Sequence, residues 1–497
     1  MLFNSKEFIL YFLPVAVIVF FILGPRSIWL ARSWLAAASL FFYAWWNPIY
    51  LPLLLGSITF NFSIGYYLQV YPLSIKRLLS RKVLLWIGII FNLSLLGYFK
   101  YAGFFVQSAN DLVGTDFVVQ RIALPLAISF VTFQKIAYLV DSYLEKVRET
   151  SFLNFVLFAS FFPQLIAGPI VHYSEVFPQF RNPLTYRFQW DNFGEGATLF
   201  ILGLAKKVVL ADEFGRYSDV VFNGVAAGSA LTLVPAWVGA LSYTLQLYFD
   251  FSGYSDIAIG LGKMFNIELP INFFSPYKAD SIAEFWRRWH MTLSRFLRDY
   301  VYIPLGGNRK GESRRYTNLM TTMLIGGLWH GAGWTFISWG FLHGVALSVH
   351  HLQHSYARDL TRVFSGKLFS QVLTLLFVIV AWVLFRAASL AAAGRIYSAM
   401  LGRDGAILPD QVLDIFHPLR SVFDGVGKVP LLGDSTVMGL FEIVVMLGLG
   451  FGLVLFAPNL YQMGRRTRLV MVGLSFAFVV QKIFFAGEIS PFLYFQF

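Results

Sequence analysis

The chain contains no cysteine and few charges. Zero cysteines exclude disulfides, thiolate metal sites, a cysteine nucleophile and S-palmitoylation. Charged residues make up only 13% of the 497 positions, against about a quarter in a soluble protein. That shortage argues against a soluble globular enzyme, a disordered chain and a fibrous protein. The pattern of alternating residues expected of a membrane β-barrel is absent too. No low-complexity tract and no tandem or inverted repeat is visible.

What is present is apolar. Hydrophobic residues reach 57% and mean hydropathy is +0.63. Apolar runs of roughly 18 to 22 residues recur along the chain, the length that crosses ~30 Å of hydrocarbon as helix. The expectation is an all-α polytopic membrane protein, a single membrane-embedded domain over 1–497. Spans are expected near 8–23, 29–46, 50–70, 83–105, 119–140, 152–171, 196–211, 231–248, 317–328, 333–350, 369–387, 437–457 and 469–487. Re-entrant pieces leave the count at about 11 to 14. The first run lacks a basic leader and a small-residue cleavage signal, so it reads as a retained span. The 53 phenylalanines fit lipid-facing and interfacial positions.

Net charge is +12, which in a membrane chain reflects basic cytoplasmic loops rather than nucleic-acid binding. Loops 72–82, 306–316 and 463–468 are basic and are expected in the cytoplasm. Loop 107–116 has two aspartates and no Lys or Arg, and 402–436 carries five aspartates; both are expected outside. Both ends of the chain then fall outside.

Residues 249–316 break the apolar monotony. Asp250 and Asp256 lie at the end of a span, where acids either face a cavity or partner or cap a helix in the headgroup zone. Over 281–300 the apolar positions fall at helical spacing, with Arg287, Arg295 and Arg298 on the other side. This predicts an amphipathic or re-entrant helix rather than a span. On a 100° wheel His290 sits about 80° from the stripe centre, the position of an ordinary boundary histidine. The following loop, with Gly306, Gly307, Asn308, Arg309 and Lys310, is glycine-rich and basic, suited to phosphate through backbone N–H groups. It lacks the spacing of a nucleotide-triphosphate loop.

His330 lies in an apolar stretch, LIGGLWHGAGW, between glycines that permit close approach. An ionisable group there is a functional candidate; the plain alternative is a hydrogen-bonded core histidine. His343 would lie about 220° further round one continuous helix, on another face. His350, His351 and His354 have metal-like spacing but no carboxylate nearby, and are expected at a membrane interface. No metal site is expected.

The runs FWRRWHMTLSRFLRDYVYIPLGGNRKG (285–311) and GGLWHGAGWTFISWGFLHG (326–344) resemble the membrane-bound O-acyltransferase family, in its bacterial branch that acylates surface and secreted polymers. YLVDSYLEK (138–146), FFPQLIAGPIVHYSEVFPQF (161–180) and YFDFSGYSDIAIGLGKMF (248–265) agree. The resemblance implies a ring of helices around a thin centre with a funnel from each side. It makes His290 and His330 the functional histidines, where the funnels nearly meet. Trp329, Asp250, Asp256, Arg287, Arg288, Asn308 and Arg309 are candidates for substrate or donor contacts.

The chemistry expected is general-base catalysis. Neutral His330 would take a proton from an acceptor hydroxyl attacking a thioester or ester carbonyl. His290 would stabilise the oxyanion, orient the acceptor, or act in the other half-reaction. No bound cofactor is expected. The donor would be acetyl-CoA or an acyl carrier protein, its phosphates facing the basic cytoplasmic loop. The resemblance further implies the inner membrane, a periplasmic acetyltransferase partner and a polysaccharide synthesis and export complex. A D-alanyl or peptidoglycan acyl transferase is the nearest variant. The rival of another class is a secondary transporter or polysaccharide flippase, which would be expected to show repeated halves.

Overall fold

The computed structural model describes residues 1–70, 80–118, 123–356, 366–405, 437–485 and 490–493. Most of loop 72–82 and of 402–436 lies outside the described residues, as does the His354 side chain. Among the described residues the chain is helical with no strand.

Four helical stretches are long and apolar enough to cross a bilayer: Pro48–Val70, Arg81–Val113, Lys367–Arg386 and Arg465–Phe484. Phe8–Leu23, Ile28–Ala44 and Glu442–Phe456 are shorter apolar helices. Two further stretches form the centre. Trp190–Ala205 continues through a π-helical turn, Lys206–Ala211, into Asp212–Ala226. It packs along Leu233–Met264, a 32-residue helix. Gly196 and Gly260 face each other there, each leaving room only for the other's backbone.

Several expected spans are corrected. The helix drawn at 119–140 is Ile128–Tyr143, because Pro125 and Ala127, at φ +63°, hold the chain out of helix before it. The run 152–171 is not one crossing: helix Phe152–Ser160 and one turn, Phe162–Leu165, give way to buried non-helical backbone over 166–172. The span ended at 248 runs on to Met264, which places Asp250 and Asp256 inside a buried helix rather than in a headgroup zone.

Loop ends sort into two faces. On one, Arg81 pairs with Glu145 at 2.6 Å, Arg181 with Glu149 at 3.3 Å and Arg468 with Glu195 at 3.4 Å. Gln179 Nε2 donates to Glu268 O on the same face. On the other, Tyr50 Oη donates to Ala123 O, Asn4 Nδ2 to Ser490 O and Leu233 N to Gly405 O. The described residues of the basic loops, Arg81 and Arg468 among them, gather on the first face, the asymmetry expected from loop charge.

Candidate active site

The segment 281–300 holds the first surprise. It is two short helices, Ile282–Arg288 and Met291–Leu297, broken at His290, whose φ is +43°. A left-handed non-glycine residue is costly and persists only where its surroundings hold it. His290 is therefore at a kink rather than on the border of one continuous helix, and it is fully buried.

Asn272 is what holds it. Asn272 Oδ1 lies 3.1 Å from His290 Nδ1 and accepts from Thr292 N at 3.2 Å and Thr292 Oγ1 at 2.9 Å. A backbone N–H can only donate, so the atom facing it is the amide oxygen. His290 Nδ1 must then carry the proton, and Nε2 carries the lone pair. Met291 N donates to Asn272 O as well, which ties the kink to Asn272 twice over.

His330 ends helix Glu312–His330. The helix stops at Gly331, whose backbone is extended, and Phe336 packs so closely there that its ring occupies the place of a Cβ. The chain turns back into Trp334–Tyr356, packed closely on the first helix. Lys100, on the π turn Gly97–Tyr101, donates to Trp329 O at 2.7 Å and His330 O at 3.0 Å. A cation at a helix C-terminus meets both its free carbonyls and its dipole.

The two rings lie 6.4 Å apart, centre to centre. Trp329 stacks on Phe133 at 5.2 Å and meets the His330 ring edge-on at 4.9 Å. His330 and Lys100 line a cavity of about 480 Å³ together with Ser129, Trp45 and Pro491. It opens on the face away from the basic loops, among residues 1–7, 45–46 and 124–128.

His343 does not face elsewhere. With the helix broken at Gly331, Trp339 touches both rings, His330 at 5.2 Å and His343 at 4.7 Å. His343 Nδ1 accepts from Trp286 Nε1 at 3.2 Å.

The other candidates stand away from the histidines. Asp256 pairs with Lys206 at 2.6 Å and accepts from Tyr461 Oη. Asp250 pairs with Lys207 at 2.8 Å and accepts from Leu493 N. Arg287 and Arg288 both bond Glu284, and the Arg288 hydrogen bond helps hold that carboxyl below its usual range. Asn308 and Arg309 are exposed. None of the six lines the cavity at His330. Among the described residues no three metal-ligating side chains cluster.

Sequence reasoning missed Asn272, Thr292 and Lys100. It also missed a cluster toward the basic face, where Tyr300 Oη donates to Asp141 Oδ2 at 2.9 Å and lies 2.8 Å from His172 Nδ1. The signal for Lys100 was a lone cation late in an apolar run. Asn272 gave none.

A peptidoglycan O-acetyltransferase of Helicobacter pylori is 43% identical, covering 100% of this chain and 98% of the relative. A probable alginate O-acetylase of Pseudomonas aeruginosa is 43% identical, over 80% of this chain and 75% of its own. A teichoic acid D-alanyltransferase of Streptococcus thermophilus is 31% identical over 45% and 56%. The model of the membrane-bound O-acyltransferase family matches residues 62–393, a stretch that holds His290 at its kink and His330, and the chain belongs to that family.

Proposed function

We propose that this membrane-bound O-acyltransferase carries an acetyl group from a cytoplasmic thioester to a hydroxyl acceptor on the outer side of the bacterial inner membrane. The carrying observation is the pairing of His330, on a cavity at the face away from the basic loops, with His290 6.4 Å away and buried. The acceptor oxygen forms the new C–O bond as the C–S bond breaks. His330 takes the hydroxyl proton and returns it to the leaving thiolate. His290, with its lone pair on Nε2, accepts a hydrogen bond and so orients a substrate O–H or N–H. The oxyanion role needs an N–H on that nitrogen, and the Asn272 contact favours the other tautomer.

Acetyl-CoA or an acetylated carrier protein is the donor, and the basic face suits the phosphates of either. The acceptor passes the group to a carbohydrate polymer through a periplasmic transferase, within a synthesis and export complex. Peptidoglycan is the first polymer to test, because the relative matched end to end acts on it by name; alginate is the second. Family membership sets the flippase reading aside.

The test is ester-linked acetate on peptidoglycan and on secreted polysaccharide, in a strain carrying wild type or His330→Ala at matched protein level. His330→Ala should lose at least ~100-fold. Full acetylation by that variant would refute the assignment.

A further inference from the structure

Segment 490–493 stands between two cavities. Pro491 lines the 480 Å³ cavity that holds His330. It also lines a second, polar cavity of about 620 Å³ bounded by Asp212, Glu213, Arg216 and Lys482. The first residues of the chain divide in the same way: Met1, Leu2 and Ser5 line the histidine cavity and Asn4 the polar one. Asn4 Nδ2 donates to Ser490 O at 3.1 Å, so the two segments are joined where they separate the cavities.

A buried ion pair fastens this partition. Lys207 Nζ donates to Pro491 O at 3.0 Å and Ser490 Oγ at 3.3 Å, and lies 5.1 Å from the centre of the Phe492 ring. Asp250 Oδ1 lies 2.8 Å from the same ammonium, and Asp250 Oδ2 accepts from Leu493 N at 3.0 Å. Both side chains are at most 2% exposed. Phe492 packs on Tyr254 at 4.7 Å in one hydrophobic core, while Leu493 belongs to a second core, the one that holds Phe249 and Phe251. An intramembrane ion pair is expensive to keep, and the transfer chemistry has no use for this one.

We infer that Lys207 and Asp250 are positioning residues that clamp segment 490–493 as a partition, so that an acyl donor at His330 meets its acceptor and not water from the polar cavity. The inference rests on the reading of His330 as the base. Without the partition, a water oxygen attacks the thioester carbonyl and the C–S bond breaks. The thiolate takes the proton through His330, and acetate leaves in place of the ester. The clamp thus sets the ratio of transfer to hydrolysis.

The test uses the full chain in nanodiscs, with Leu493→Cys as the sole cysteine and a small soluble maleimide as probe. The double variant Lys207→Met/Asp250→Leu removes the two most deeply buried charges together; Asp212, which also pairs with Lys207 at 2.7 Å, keeps its carboxylate on the polar cavity, where it is partly exposed to water. Labelling should speed up at least ~10-fold. With acetyl-CoA or acetylated carrier protein as donor, acetate released per acetyl transferred should rise by a similar factor. Asn4→Ala removes the hydrogen bond that joins the two segments without touching a charge; it should move both readouts the same way by less, and it decides the matter if the double variant does not fold. Equal labelling rates overturn the clamp, as does faster labelling with an unchanged acetate-to-ester ratio. His330→Ala serves as the control: it should label slowly and form neither product. Transfer surviving in it would sink the base assignment alone, with the labelling comparison still deciding the clamp.

Discussion

Asn272 does for His290 what a carboxylate does for a catalytic imidazole elsewhere: it chooses the tautomer. Three donors converge on one amide oxygen, two of them from Thr292. Asn272→Leu keeps the volume and removes the acceptor. The His290 ring is then free to place its proton on either nitrogen, and the Thr292 N–H is orphaned. Transfer should fall by up to ~10⁴-fold, the loss that the wrong histidine tautomer causes in a hydrolase triad. The loss should appear in kcat, with protein abundance near normal; an unchanged kcat would show that the tautomer is irrelevant. His330 was legible because a titratable side chain among glycines in an apolar run has few innocent explanations. Asn272 was not, because an uncharged amide 18 residues from its partner leaves no pattern. Asp250 and Asp256 were legible as costly, but not as structural, since their lysines lie on another helix.

The hairpin of Glu312–His330 and Trp334–Tyr356 is where glycine does the packing. A Cβ on Gly327 would collide with Phe336 O, and Gly340 sits against Met323 O across the same seam. Gly327→Ala must therefore push two backbones apart. Overpacking of this kind costs about 1–3 kcal/mol, and here it also moves His330 away from His290. The variant should melt at lower temperature in detergent and lose transfer by more than its loss of folded protein. A melting temperature equal to wild type would mean that the seam is looser than it looks. Element length explains what the sequence could and could not tell. Runs that face lipid must be continuous helix, so hydropathy found Pro48–Val70 and Lys367–Arg386. Runs buried in protein can leave the helix wherever side chains meet their backbone groups. At 166–172 the Ile170 N–H goes to Thr292 Oγ1, so an apolar run that looked like a span carries non-helical chain.

Across the whole molecule, charge and contact give the same division into faces. Arg81, Arg181, Arg465 and Arg468 all find acidic partners on one face. Tyr300 reaches Asp141 from the chain just before the Gly306–Gly307 turn, which brings Lys310 to that face too. Asp116, after the helix that starts at Arg81, lies at the opposite end of a 33-residue helical stretch. If basic loops stay inside, Lys310 is cytoplasmic and Asp116 is outside, and the His330 cavity opens outward. The absence of native cysteine makes this directly measurable. Lys310→Cys and Asp116→Cys are both at exposed positions. In intact cells an impermeant maleimide should label the second and spare the first, and breaking the cells should expose the first. The reverse pattern would invert the molecule. The His330 cavity would then face the cytoplasm, and the acceptor would have to be sought on that side.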